Sequence, residues 1–344
     1  MTGYVYHPIY LEHTCAGHPE NHHRLKAIME LLKERDVLPH LQLVEPKPVS
    51  MELLERVHNP YYIKLVQRVA ETGGGNLDMD TYVGPRSYEA ALMAAGGVVE
   101  AVKAVLDGEV DSAFALVRPP GHHATPNRGM GFCLFNNVAI AARYALERDE
   151  VKRILIADFD VHHGNGTQDI FYRESSVLYF STHQYPHYPG TGRITETGEG
   201  EGKGYTVNVP MRGRVGDEGY RRIFEEILWP IARRYHPDLV LVSAGFDAHW
   251  ADPLASMLLS ITGYTNLARI LKAIADELCE GRIIFVLEGG YKLEVLSHCV
   301  LNIFYTLMGE EKLLDPLGPS PYREQPVDEL IKVLKEIHNL SKQA

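Results

Sequence analysis

The chain has 344 residues, 45% hydrophobic and 23% charged, with 34 basic against 45 acidic side chains and a net charge of −11. That balance belongs to a globular protein able to bury a sizeable core, and without Lys/Arg clusters it argues against direct nucleic-acid binding. No window approaches the ~20 apolar residues of a membrane helix, and MTGYVYHPIYLEH has neither the basic nor the apolar part of a signal peptide, so no membrane partner is expected and the expected compartment is cytoplasmic.

Cys15, Cys133, Cys279 and Cys299 form no C-x-x-C pair. They read as reduced thiols rather than as a zinc ribbon or redox pair. Histidine is the unusual count at 17, and several are clustered.

In chain order, 72–76 (TGGGN) is a loop. SAFALV at 112–117 reads as a buried strand, and 133–147 is Ala-rich with helical spacing. RILIA (153–157) and VLYFS (177–181) are strands. Helical periodicity covers 220–235, with Pro230 expected to kink or break it. DLVLVS (238–243) is a strand, 264–280 a helix, IIFVL (283–287) a strand and 294–308 a helix. An amphipathic helix is expected over 327–341, within a helical tail at about 310–344. No repeat or linker divides the chain, so one domain over 1–344 is expected. Apolar strands alternating with helices predict an α/β fold, a central mostly parallel sheet with helices on both faces.

Each strand runs into a chemically loaded segment: RPPGHHA, DFDVHHGNG, THQYPHYPGTG, AGFDAHWADP and EGGY, within 118–291. An active site at the C-terminal ends of the strands follows, where open α/β sheets bind ligands. DFDVH poses a burial problem, because several titratable groups follow an apolar strand. If it continues the strand, Asp158, Asp160 and His162 share one face. Two oxygens and an imidazole can hold a divalent cation, and Asp247 can supply a third carboxylate. The set Asp160, His162 and Asp247 leaves coordination free for water and substrate, as catalytic sites do. Mixed O/N ligation suits Zn²⁺, with Fe²⁺ or Mn²⁺ as alternatives. His122 and His123, aimed by Pro and Gly, can move a proton from water to a leaving amine. Tyr291, past two glycines, can stabilise an oxyanion or simply pack.

RPPGHHA, GFCLFNN, DFDVHHGNGTQ, PGTG, AGFDAHWADP and LEGGY, in this order, resemble the zinc-dependent histone deacetylase family. That family includes the bacterial acetylpolyamine amidohydrolases and shares the arginase–deacetylase fold. HPE with Arg24 (His18, Glu20) and DTYVGPRSYEAAL (80–92) also fit, and the resemblance extends to about Met308. HHGNG and LEGGY lean toward a class II-like, prokaryotic-type member.

The resemblance implies Asp160, His162 and Asp247 as metal ligands and His122 and His123 as catalytic histidines, with Asp158 behind His122 and Asn165 behind His123. Class I relatives carry Asp at the position of Asn165; an amide there keeps His123 neutral more readily. His123 would then be general base and acid, and Tyr291 the oxyanion donor. Gly131 would accept the substrate amide N–H through its carbonyl, and Phe132 and Tyr188 would line a tunnel. A monovalent K⁺ or Na⁺ would sit at Asp158, Asp160, His162, Ser181 and Thr182, largely through backbone carbonyls. Arg24 would lie near an internal acetate cavity, and Asp78 or Asp80 would grip the substrate backbone.

The implied activity is removal of the acetyl or other acyl group from N-ε-acetyl-lysine in peptides or proteins. Polyamine-selective members carry an acidic gatekeeper where this chain has Leu254, which favours acyl-lysine over a small acetylated amine. His249 and Trp250 would either shape the entrance or pack. An acetylpolyamine amidohydrolase, a non-catalytic acyl-lysine binder and an arginase-like di-manganese hydrolase are the alternatives.

Overall fold

A computed structural model describes residues 1–340. The strands are β1 (Thr2–Val5), β2 (Gln42–Leu43), β3 (Gly75–Asn76), β4 (Tyr82–Val83), β5 (Ser112–Ala115), β6 (Ile154–Asp158), β7 (Val177–Gln184), β8 (Thr206–Met211), β9 (Leu239–Ala244) and β10 (Ile283–Leu287). Eight of them form one sheet in the order β2-β1-β5-β10-β9-β6-β7-β8, and every pairing in it is parallel. β3 and β4 make a separate antiparallel pair. Every residue of β5, β6, β9 and β10 is buried, as the unbroken apolar runs require of a sheet covered on both faces.

The helices are α1 (His23–Glu34), α2 (Met51–Glu55), α3 (Pro60–Glu71), α4 (Ser87–Leu106), α5 (Asn137–Ala145), α6 (Asn165–Phe171), α7 (Asp217–Ile223), α8 (Trp229–Tyr235), α9 (Ile261–Leu278), α10 (Leu293–Leu307) and α11 (Asp328–Ile337). α4 packs with α3 and α5, whereas α1, α10, α9 and α7 pack in series. Both groups meet β5, through α4 and α10, giving helical layers around a central sheet. No helix among the described residues is long and apolar enough to cross a membrane.

Several expected boundaries move. The helix expected at 133–147 is α5, which starts later because residues 131–136 build the site and Asn136 caps it, accepting from Ala139 N. Pro230 does not break its helix. α7 and α8 are joined by a π-helical turn, Phe224–Leu228, and the wider turn accommodates the proline's missing N–H. Of the amphipathic helix expected over 327–341, α11 covers Asp328–Ile337, and 341–344 lie outside the described residues; the rest of the expected helical tail, 310–327, is irregular rather than helical.

A charged cluster lies under the sheet edge. Glu20, Arg24 and Arg118 are fully buried. Arg118 pairs with both oxygens of Glu20, its Nη2 at 2.6 Å from Oε2, and Arg24 Nη1 donates to Oε1 at 3.0 Å. Burial alone would raise the Glu20 carboxyl, but Arg118 and Arg24 hold it well below the usual range. A depressed carboxylate stabilises fully above its unfolded value of about 4.3 and progressively less as pH falls towards the folded value. Glu20→Gln leaves two guanidiniums uncompensated and is expected to cost about 3–5 kcal/mol. Thermal unfolding of both proteins from pH 7 to 3 checks this. The gap should be large at pH 7 and narrow below about pH 4; a pH-independent gap would refute the pairing.

Candidate active site

The five loaded segments leave β5, β6, β7, β9 and β10, which are contiguous in the sheet order β5-β10-β9-β6-β7. Their loops converge on a cavity of about 240 Å³. His122, His123, Asp160, His162, Gly289 and Tyr291 line it, together with Phe132, Tyr188 and Leu254.

Ligand-type atoms of Asp160, His162 and Asp247 lie within 4.8 Å of one another. His162 Nδ1 is 3.2 Å from both Asp160 Oδ1 and Asp247 Oδ2. The reason differs from the expected strand alternation, because β6 ends at Asp158. Beyond it each carboxylate accepts from an amide two residues on: Asp158 Oδ1 from Asp160 N at 3.2 Å, and Asp160 Oδ1 from His162 N at 2.9 Å. These turns bend the loop around the carboxylates. Gly289 N donates to Asp160 Oδ2 at 2.9 Å, and Val161 N to Asp247 Oδ1 at 3.0 Å. A Cβ at Gly245 or Gly289 would collide with these carboxylates.

Asp247 Oδ2 is buried and makes no hydrogen bond of good geometry, its 3.2 Å contact to His162 Nδ1 being one that Asp160 Oδ1 shares. Burial and the neighbouring Asp160 push its carboxyl upward. A buried carboxylate oxygen so poorly satisfied, beside a second carboxylate and an imidazole, fits a divalent cation. A second grouping, His122, Cys133 and Glu288, fits less well. Its His122 Nδ1 is committed to Asp158, Glu288 Oε2 accepts from Gly121 N, and burial holds the Cys133 thiol protonated.

The paired histidines are set apart by what stands behind them. His122 Nδ1 is 3.0 Å from Asp158 Oδ2, which also accepts from the Tyr179 hydroxyl at 3.1 Å. Burial opposes a charge on His122, but Asp158 and Asp160 outweigh it and push it up to about 10. His123 Nδ1 is 2.8 Å from Asn165 Oδ1. Burial, then His122 and His162, hold it well below its ordinary value. With an amide oxygen as partner, Nδ1 carries the proton and Nε2 is left basic.

Tyr291 lines the same cavity. Its ring meets Phe132 edge-to-face at 5.8 Å, and the Arg24 guanidinium is 5.2 Å from its centroid. Burial and the charge of Asp247 raise the phenol well above its usual value, so it remains a donor. Gly131 and Phe132 both have positive φ, 56° and 70°. A Cβ at Gly131 would strike the His123 ring, so only glycine fits there. The Gly131 carbonyl faces the Cys133 thiol at 3.4 Å.

Other expected residues fall in varied places. Asp80 lines the cavity, whereas Asp78 Oδ1 accepts from Thr81 N at 2.8 Å within its own turn. Asp158 and Ser181 are register partners across β6 and β7, and Thr182 Oγ1 donates to the Asp158 carbonyl at 3.5 Å. Arg24 donates to the carbonyls of Gly290 (2.8 Å) and Glu288 (2.6 Å). His249 is buried, and Trp250 Nε1 donates to Gly318 O at 3.1 Å, so both pack rather than shape the entrance.

Three contributors went unassigned from sequence: His187, whose ring stacks on His162 at 5.2 Å; Asp252; and Glu288, which burial pushes up to about 7. All three fall inside motifs that the sequence marks, but no spacing encodes their contacts.

A family model described as the histone deacetylase domain matches residues 18–307. A "Probable deacetylase" of Archaeoglobus fulgidus is 42% identical, over 90% of this chain and 87% of the relative. The "Histone deacetylase-like amidohydrolase" of Pseudomonas aeruginosa is 38% identical, over 91% and 83%. The crystal structure of the HDA15 HD domain superposes with a TM-score of 0.90 at 36% identity, over 98% of this chain and 95% of that one. The sheet order, the cluster at its edge and these likenesses agree: the chain belongs to the histone deacetylase domain family.

Proposed function

We propose that the chain hydrolyses N-ε-acyl-lysine side chains of peptides or proteins, releasing the acyl group as a carboxylate. The observation that carries this reading is the Asp160–His162–Asp247 cluster beside the paired histidines, with His123, Asp160, His162 and Tyr291 lining one cavity and the His123 and His162 rings 5.9 Å apart. The family is zinc-dependent; Zn²⁺, or Fe²⁺, bound by those three side chains would polarise the acyl carbonyl and acidify water.

The chain's own groups do the rest. His123 Nε2 takes a proton from water and later passes it to the leaving amine. His122, held cationic by Asp158, steadies negative charge building beside it. The Tyr291 phenol donates to the oxyanion of the tetrahedral intermediate. The Gly131 carbonyl accepts the substrate amide N–H, and Phe132 and Tyr188 enclose the aliphatic stem and exclude water. A K⁺ or Na⁺ at Asp158, Asp160, His162, Ser181 and Thr182 would brace the β6–β7 edge. A non-catalytic binder would not need this complete set of proton-handling groups.

Asn165→Asp tests the role of His123. A carboxylate 2.8 Å from Nδ1 favours the imidazolium, so the acid limb of kcat/KM against pH should move up by about a unit or more. An unmoved limb would assign the base elsewhere.

Leu254 in the cavity wall supports acyl-lysine over polyamine, since an apolar gatekeeper gives no counter-charge to a cationic chain. Turnover of an acetyl-lysine peptide should exceed that of acetylputrescine and acetylspermidine. The reverse order would make the protein an acetylpolyamine amidohydrolase.

A further inference from the structure

We infer that Asp252 is a positioning residue: one carboxylate ties the backbone of Tyr291 to the turn carrying Leu254, and so sets the phenol against the substrate wall. The inference rests on the reading of Tyr291 as oxyanion donor.

Asp252 is only 6% exposed, and it forms no ion pair among the described residues. Burying such a carboxylate is costly unless hydrogen bonds replace water. Its two oxygens serve different segments. Oδ1 accepts from Leu254 N at 2.9 Å; Oδ2 accepts from Tyr291 N at 2.8 Å and Lys292 N at 3.3 Å.

Arg24 and Asp160 hold the backbone of Glu288, Gly289 and Gly290, and Asp252 takes over at the amides of Tyr291 and Lys292. Tyr291 follows Gly289 and Gly290, the latter at φ 114°, where backbone freedom is largest. α10 starts just beyond, and its N-cap, Lys292, makes no side-chain capping bond. Asp252 meets the amides ahead of that helix, while Arg24 holds the Glu288 and Gly290 carbonyls from the other side. The linkage continues, because the Leu254 carbonyl meets His187 Nε2 at 3.0 Å and the His187 ring stacks on His162. Oxyanion donor, substrate wall and metal-type ligand are thereby joined through one buried carboxylate.

An asparagine has the right shape but only one accepting atom, so one of the two anchors must fail. Displacements near 1 Å can cost about 10²-fold in rate, so Asp252→Asn is expected to lower kcat about 10-fold or more with KM within about 3-fold. The test is a double-mutant cycle with Tyr291→Phe on the zinc-loaded protein, with thermal unfolding and zinc content measured alongside. In the Tyr291→Phe background the asparagine should cost less than about 2-fold, because the group it positions is gone. Equal fold-losses in both backgrounds, with Tyr291→Phe itself strongly impaired, would overturn the positioning role and leave the oxyanion reading standing. If Tyr291→Phe keeps near-normal turnover, the oxyanion reading fails, and any loss in Asp252→Asn then acts elsewhere. Asp252→Glu keeps the charge and displaces the anchor; it carries the same cycle if the asparagine variant does not fold.

Discussion

Tyr291→Phe is expected to lower kcat for an acetyl-lysine peptide by roughly 10²-fold or more while KM stays within a few-fold. The phenylalanine keeps the ring that packs edge-to-face on Phe132 and beneath Arg24, so the fold has little reason to change. Only the hydroxyl is lost. Its donor matters where charge develops, in the transition state, which is why kcat should fall without a matching change in binding. Steady-state kinetics with peptide as the varied substrate measures both constants. Near-normal turnover would return Tyr291 to a packing role.

Asp247→Asn should remove both activity and zinc response. It keeps an oxygen for the Val161 amide and deletes the charge behind the poorly satisfied Oδ2. Losing an outer partner of a metal ligand typically costs about 10–100-fold in affinity or activity, and losing a ligand should exceed that. Zinc at 100 Kd should stabilise wild type by about 2.7 kcal/mol and the variant far less. A variant stabilised normally by zinc would remove Asp247 from the ligand set.

The sequence is informative where one physical cause dominates. IIFVL becomes β10 with the same bounds, because a strand buried on both faces has no reason to contain polar residues. β9 and β6 shift by one residue, β5 stops at Ala115, two residues short of the expected end, and β7 extends to Gln184. The N-terminal third is harder to read. α4 contains Gly96 and Gly97, poor helix formers; the backbone of 47–49 crosses against Gly96, and Tyr10 and Val5 pack against Gly97. The metal-type cluster follows the motifs even though the strand alternation proposed for DFDVH does not hold; carboxylate–amide turns bring Asp160 and His162 together instead. Asp252, Glu288 and His187 act through contacts between separate loops, so they become visible only once the five strand ends meet.

The most direct test is a titration of metal-stripped protein with Zn²⁺ while acetate release from an acetyl-lysine peptide is followed. A single Asp160–His162–Asp247 site predicts turnover that rises linearly and saturates at one Zn²⁺ per chain. Saturation at two, or peptide bound without acetate released at any zinc level, would contradict it.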